Sequence, residues 1–235
     1  MPTALITGAS RGLGRRTAEQ LARKGWDLLL VARSIDQLES LASDLRSYGG
    51  SVAVAGLDLT DQAAIAPTLA SLLKGHGAPQ LLINNAGAAY TGDLLSMPLE
   101  RWNWLMQLNL TSVMQVCSAV VPTMRAAGGL VINVSSHAAN NAFPQWGAYC
   151  ISKAALASFT RCLAEEERSK GIRACTLTLG AVNTPLWDAE TVQSDFDRRA
   201  MLSVDQAADA LVYLAEQPTN QVIDDLTLMP SAGAF

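Results

Sequence analysis

An α/β fold on a parallel, doubly wound sheet is what these 235 residues predict, on three observations. Short apolar runs rich in Val, Ile and Leu alternate with segments of helical periodicity, a glycine-rich turn follows the first run, and no Pro/Gly/Ser-rich linker interrupts the alternation. One domain over 1–235 follows.

The apolar runs place strands at 2–7, 27–33, 51–58, 80–85, 129–135, 172–179 and 222–229, each read as covered on both faces. Helices fill 12–24, 36–48, 62–74, 99–126, 148–169 and 204–216. Right-handed crossovers then make all seven strands parallel and put helices on both faces. Ligands bind such a sheet beyond the carboxyl ends of its strands.

After the first strand comes Thr7-Gly8-Ala9-Ser10-Arg11-Gly12-Leu13-Gly14, opening the first helix. There backbone N–H groups and the helix dipole can hold a pyrophosphate. The spacing is GxxxGxG, a variant of the common dinucleotide fingerprint, and a plain tight turn is the alternative. At the tip of the second strand, where an acid usually takes a ribose 2′-hydroxyl, the chain ends Val31-Ala32-Arg33. Arg33, with Arg11, can instead bond a 2′-phosphate, which favours NADP(H) over NAD(H); two solvated surface arginines are the other reading.

The richest chemical signal is Tyr149-Cys150-Ile151-Ser152-Lys153, because one helical turn brings a phenol and an ammonium together. With charges roughly 5 Å apart and an effective dielectric of about 20, the ammonium favours phenolate by about 3 kcal/mol, roughly two pKa units. The pair then suits acid and base work. With four Tyr and four Lys in the chain, chance supplies such a pair in roughly one chain of this composition in fourteen, so other motifs must decide.

Those motifs are Asn84-Asn85-Ala86-Gly87 after the fourth strand, Asn109 within a helix, and Ser136 after the fifth strand, thirteen residues before Tyr149. With the glycine turn and the Tyr–Lys pair they resemble the short-chain dehydrogenase/reductase family, more narrowly its single-domain members similar to 3-oxoacyl carrier-protein reductases. The resemblance spans almost the whole chain and implies a Rossmann-like NADP-dependent oxidoreductase for a carbonyl or secondary alcohol. It makes Tyr149 the general acid/base, Lys153 its partner on the nicotinamide ribose, Ser136 the holder of the substrate oxygen, and Asn109 the anchor of a water leading to Lys153. Cofactor contacts are implied at Gly8, Ser10, Arg11, Gly12, Leu13, Gly14, Arg33, Asp58, Leu59, Asn85, Ala86 and Gly87. Tyr149, Lys153, Gly180, Val182 and Thr184 complete that set.

Some residues keep two readings. Asp58 resembles an adenine-contacting acid and equally suits a helix start. Asn84 is expected to tie neighbouring strands, and Asn109 can also satisfy a local helix bulge. Leu179 stands where the family has proline, which leaves the rigidity of the turn before Thr184 open. Loops 88–98, 137–147 and 185–203 should carry substrate identity. There Tyr90, Phe143, Trp146, Leu186 and Trp187 either line an apolar pocket or pack beneath the loops, and His137 faces pocket or solvent.

Composition excludes other classes. A net charge of −4 with scattered Lys and Arg argues against nucleic acid. Hydrophobic residues at 49% and charged residues at 16% read as globular, with no apolar run taken to span a bilayer and no signal peptide before Ala4. A cytoplasmic location is the expectation. Two His and unpaired Cys spacings leave no metal site, and Cys117, Cys150, Cys162 and Cys175 read as small buried hydrophobes. The helices at 99–126 and 148–169 resemble the pair through which family members associate, so a homodimer or homotetramer is expected. Arg125 and Lys170 give a weak signal for an acidic partner. A non-catalytic NADP-sensing regulatory or scaffold protein on the same fold is the alternative function.

Overall fold

The computed structural model describes residues 1–233. Seven strands, β1 (Thr3–Thr7), β2 (Asp27–Ala32), β3 (Val52–Gly56), β4 (Leu81–Asn84), β5 (Gly129–Ser136), β6 (Ile172–Leu179) and β7 (Asp225–Leu228), form one sheet. Its order is β3-β2-β1-β4-β5-β6-β7 and every pair is parallel. From β1 the chain winds outward to β3, then crosses back to β4 on the other side. The carboxyl ends of β1 and β4 therefore flank a point where strand order reverses, and a crevice opens there.

Helices α1 (Gly12–Arg23), α2 (Ile35–Leu45) and α7 (Val204–Ala215) cover one face, while α3 (Gln62–His76), α4 (Leu99–Met106), α5 (Ser112–Met124) and α6 (Gly147–Glu167) lie toward the other. Two apolar cores follow, because alternate strand residues point to opposite faces. Ile6, Leu30 and Leu177 pack with Leu21, Leu41 and Leu211 on one side, and Leu5, Leu29 and Val131 with Leu69, Val120 and Leu156 on the other. Helix starts are set locally. The Asp61 side chain accepts from Ala63 and Ala64 N–H to cap α3, and Ser203 with Gln206 forms a capping box on α7.

The sequence-based boundaries shift at a few places. The strand expected over 51–58 ends at Gly56, that over 222–229 shortens to Asp225–Leu228, and helix 36–48 tightens into a 3₁₀ turn after Leu45. Helix 99–126 is continuous from Leu99 to Met124 but contains a π-helical turn at Gln107–Thr111, which apolar periodicity does not reveal. By length and composition this 26-residue helix is apolar enough to cross a membrane, and half of its most apolar window is buried inside the fold. Cys117, Cys150 and Cys175 are buried as expected, whereas Cys162 is exposed. Arg125 and Lys170 are exposed but tied to the fold. Both bond the buried Glu167 carboxylate, Arg125 through two nitrogens at 2.8 Å and Lys170 at 2.7 Å.

Candidate active site

The turn after β1 is built so that backbone can approach a ligand closely. Gly8 and Gly12 hold φ of 67° and 56°, conformations open to glycine. A Cβ on Gly14 would stand 2.4 Å from the Gly8 carbonyl oxygen, so the first turn of α1 packs directly on the loop before it. The residue preceding α1, Arg11, supplies no side-chain cap, which leaves the helix's first N–H groups directed at the crevice.

A cavity of about 740 Å³ runs from this turn across the strand ends to Tyr149. Gly8, Ser10, Arg11, Gly12 and Leu13 line it, as do Arg33, Asp58, Leu59, Asn85, Ala86 and Gly87. Ser136, Tyr149 and Lys153 lie further along, with Gly180, Val182 and Thr184 opposite. Of the predicted site residues only Gly14 and Asn109 stand behind the wall. Asp58 turns out not to cap a helix: its carboxylate accepts from the Thr60 N–H at 2.9 Å and hydroxyl at 2.8 Å, while Asp61 caps α3.

Asn84 does tie strands, donating to Asn133 Oδ1 at 2.8 Å, and its own Oδ1 is buried without a hydrogen-bond partner. Asn85 instead reaches back to β1, donating to the Thr7 carbonyl at 3.0 Å. Asn109, on the π-helical turn, spends its amide on the protein itself. Oδ1 accepts from Ala88 N–H at 2.9 Å, and Nδ2 donates to the Ala88 carbonyl at 2.9 Å and to Ser152 Oγ at 3.0 Å. From the local helix bulge that its second reading expected, the side chain clamps the β4 exit to α6. A Cβ on Gly87 would lie 3.2 Å from Asn109 Oδ1 and 3.6 Å from Lys153 Nζ, so these groups converge.

Ser136 ends β5, and its hydroxyl accepts from Ala138 N–H at 3.2 Å. Tyr149 sits in the first turn of α6, held edge-on by Trp146 with ring centroids 5.6 Å apart. Lys153 is buried, donates to the Val134 carbonyl at 2.9 Å, and places Nζ 5.8 Å from the Tyr149 ring centre. The electrostatics differ from the sequence expectation. Burial pushes the Tyr149 phenol up to about 12, a hydrogen bond with Ser136 opposing it, and burial pulls Lys153 down to about 8. Tyr149 is only half-buried by surface area, yet its hydroxyl end is closely surrounded by protein, and loss of solvation there outweighs the Ser136 hydrogen bond.

The turn where Leu179 replaces proline is rigid for another reason. Leu202 N–H donates to the Ala181 carbonyl and Asn183 N–H to the Leu202 carbonyl, both at 2.9 Å, and Gly180 N–H continues the ladder to Leu228. Arg198 then bonds Asn183, Thr184 and Asp188, closing segment 185–198 beside the cavity. Phe143, Trp146, Leu186 and Trp187 line the cavity and also pack on one another, so both readings of these side chains hold; His137 lines it too. Tyr90 does not, its ring lying against Gly92. Sequence reasoning missed Trp104, Glu190 and Phe196 in this wall. None carries a local motif.

A dinucleotide turn at the switch point of a parallel sheet, facing a Ser–Tyr–Lys cluster across one cavity, defines a dinucleotide-dependent oxidoreductase. The short chain dehydrogenase family profile matches residues 2–195, and the chain belongs to that family. A serine 3-dehydrogenase of Rhizobium radiobacter is 31% identical over 99% of this chain and 95% of its own. Among solved structures, an alcohol dehydrogenase of the archaeon Thermococcus sibiricus, complexed with 5-hydroxy-NADP, superposes with a TM-score of 0.91 at 28% identity, covering 98% and 97% of the two chains. The L-sorbose reductase of Gluconobacter frateurii, complexed with NADPH and L-sorbose, gives 0.88 at 27% identity, covering 97% and 95%.

Proposed function

We propose that the protein is an NADP(H)-dependent oxidoreductase that interconverts a carbonyl compound and its alcohol, with Tyr149 as general acid and base. The observation that carries this reading is the single cavity joining Arg11 and Arg33 at one end to Ser136, Tyr149 and Lys153 at the other. The residues present fit a dinucleotide. Neither arginine has an ion-pair or hydrogen-bond partner for its side chain among the described residues, and the N-terminus of α1, directly after Arg11, carries no side-chain cap. That arrangement supports a 2′-phosphate and therefore NADP(H). NADP or NADPH in the similar structures supports the same choice.

When bound, the nicotinamide supplies or accepts the hydride. The chain's own residues manage the oxygen and the proton. Ser136 holds the substrate oxygen and Tyr149 gives it a proton as the carbonyl becomes an alcohol; the same phenol takes it back on oxidation. A phenol raised to about 12 keeps its proton at neutral pH, which suits donation to an incipient alkoxide. Lys153, held by Val134, carries the positive charge that makes the phenolate accessible in the reverse step. Asn109 keeps Ala88 and Ser152 in place around that pair. The enzyme is proposed to work in the cytoplasm as a homodimer or homotetramer, with partly exposed Met114 on α5 and Ile151 on α6 supporting self-association.

The test is Tyr149→Phe with a panel of ketones. NADPH oxidation should fall by about 10² to 10⁴ while NADPH binding persists. Unchanged turnover would remove Tyr149 from the chemistry, and NADPH binding without turnover by the unaltered protein would favour the sensing role.

A further inference from the structure

The inference that follows rests on the carbonyl reading and concerns which carbonyl the cavity takes. The ionisable side chains that wall the cavity among the described residues are Arg11, Arg33, Asp58, His137, Tyr149, Lys153 and Glu190. Arg11, Arg33 and Asp58 stand at the ends of β1 to β3, and Lys153 is buried and bonded to Val134. Glu190 is the acid left on the opposite segment, where Trp187 and Phe196 also line the wall. Arg198, on the same segment, does not line the wall and is bonded to Asn183, Thr184 and Asp188. The Glu190 carboxylate has no ion pair or hydrogen bond among the described residues.

The aromatic wall is contiguous. Trp146 meets Trp187 at 5.7 Å between ring centres, Trp187 meets Phe196 edge-on at 5.6 Å, and Trp146 meets Tyr149 at 5.6 Å. Aromatic faces attract cations, and indole does so best. The segment carrying Glu190 is also fixed in place. Thr91 N–H donates to the Thr191 carbonyl at 2.9 Å, the Thr191 hydroxyl donates to the Ala89 carbonyl at 2.8 Å, and Val192 is buried beneath. An exposed carboxylate on a pinned turn, in the same cavity wall as the linked aromatic rings, is suited to an ammonium group and opposed to an anion.

We infer that the substrate end of the cavity selects a ketone, or the corresponding alcohol, that bears a protonated amine, with Glu190 as the specificity-determining residue. An anionic keto acid is disfavoured by the same carboxylate. The apolar character of the wall is retained in this reading, since the carbon skeleton of the amine packs on the rings that receive its charge.

The experiment compares phenacylamine with propiophenone, an uncharged ketone of the same shape, in the wild-type protein and in Glu190→Gln. NADPH oxidation gives kcat and KM, and quenching of tryptophan fluorescence in the presence of NADP gives binding without turnover. The wild type should prefer phenacylamine by about tenfold in kcat/KM, and Glu190→Gln should remove most of that preference through KM while changing propiophenone less than about twofold. Equal kcat/KM for the two ketones in the wild type, or equal losses for both in the variant, overturns the role of Glu190 and leaves the reductase reading intact. Binding of phenacylamine that weakens in Glu190→Gln, with neither ketone reduced, supports the amine site and counts against the reductase. Absence of both binding and turnover for phenacylamine overturns it.

Discussion

Replacing Lys153 with methionine tests the electrostatics of the site most directly, because the pH at which the effect appears is set by burial alone. In the folded chain Lys153 is drawn from its ordinary 10.5 down to about 8. That gap corresponds to about 3 kcal/mol of preference for the neutral amine. Below pH 8 both folded and unfolded chains carry the proton, and folding bears the whole cost of burying an ammonium. Between 8 and 10.5 the unfolded chain binds the proton more tightly than the folded one, so stability rises with pH through this window. Above 10.5 the cost is gone.

Methionine matches the lysine stem in shape and never charges, but it loses the bond to the Val134 carbonyl, worth about 1.5 to 3 kcal/mol. At pH 7 the two losses nearly cancel, and Lys153→Met should unfold within about 1 kcal/mol of the wild type. At pH 10.5 the wild type should lead by up to about 3 kcal/mol more than it does at pH 7. Tyr149 contributes with the opposite sign, its raised phenol losing stability only above its ordinary value of 10, and it is present in both proteins. Urea unfolding followed by fluorescence at intervals from pH 7 to 10.5 measures the difference. A gap that stays flat across that range refutes the claim that Lys153 is depressed by desolvation.

Two further outcomes concern the cofactor end. Gly14→Ala puts a Cβ within 2.4 Å of the Gly8 carbonyl, which should cost about 1 to 3 kcal/mol, lower Tm by several degrees and weaken NADPH binding, as thermal melts with and without NADPH will show. Arg33→Asp should raise the Kd for NADPH by about tenfold or more while leaving that for NADH unchanged or lower, because it replaces a charge-assisted partner of the 2′-phosphate by an acid suited to a free ribose 2′-hydroxyl; an unaltered preference would refute the account of Arg33.

What could be read beforehand was whatever is written at short spacing. The glycine turn, Ser136 thirteen residues before Tyr149, and Lys153 one turn after it are local patterns, and a parallel, doubly wound sheet needed only alternating strands and helices with right-handed crossovers, whereas the order of its strands is known from the structure alone. Asn109 was visible as a residue but not as a clamp, because its partners Ala88 and Ser152 lie 21 and 43 positions away. Glu190 and Phe196 were covered only by the expectation that loop 185–203 carries substrate identity, since that segment has no periodicity and is placed by distant bonds such as Thr191 to Ala89. The sign of the Tyr149 shift failed for a related reason. Coulomb attraction from Lys153 depends on a spacing that a helix supplies, whereas desolvation depends on how closely the rest of the protein surrounds the hydroxyl end of Tyr149. Because the same burial raises the phenol and lowers the ammonium, the two groups are pulled apart in acidity when spacing alone draws both toward their charged forms. The local motif therefore names the acid, and the packing of distant segments around it decides how firmly that acid keeps its proton.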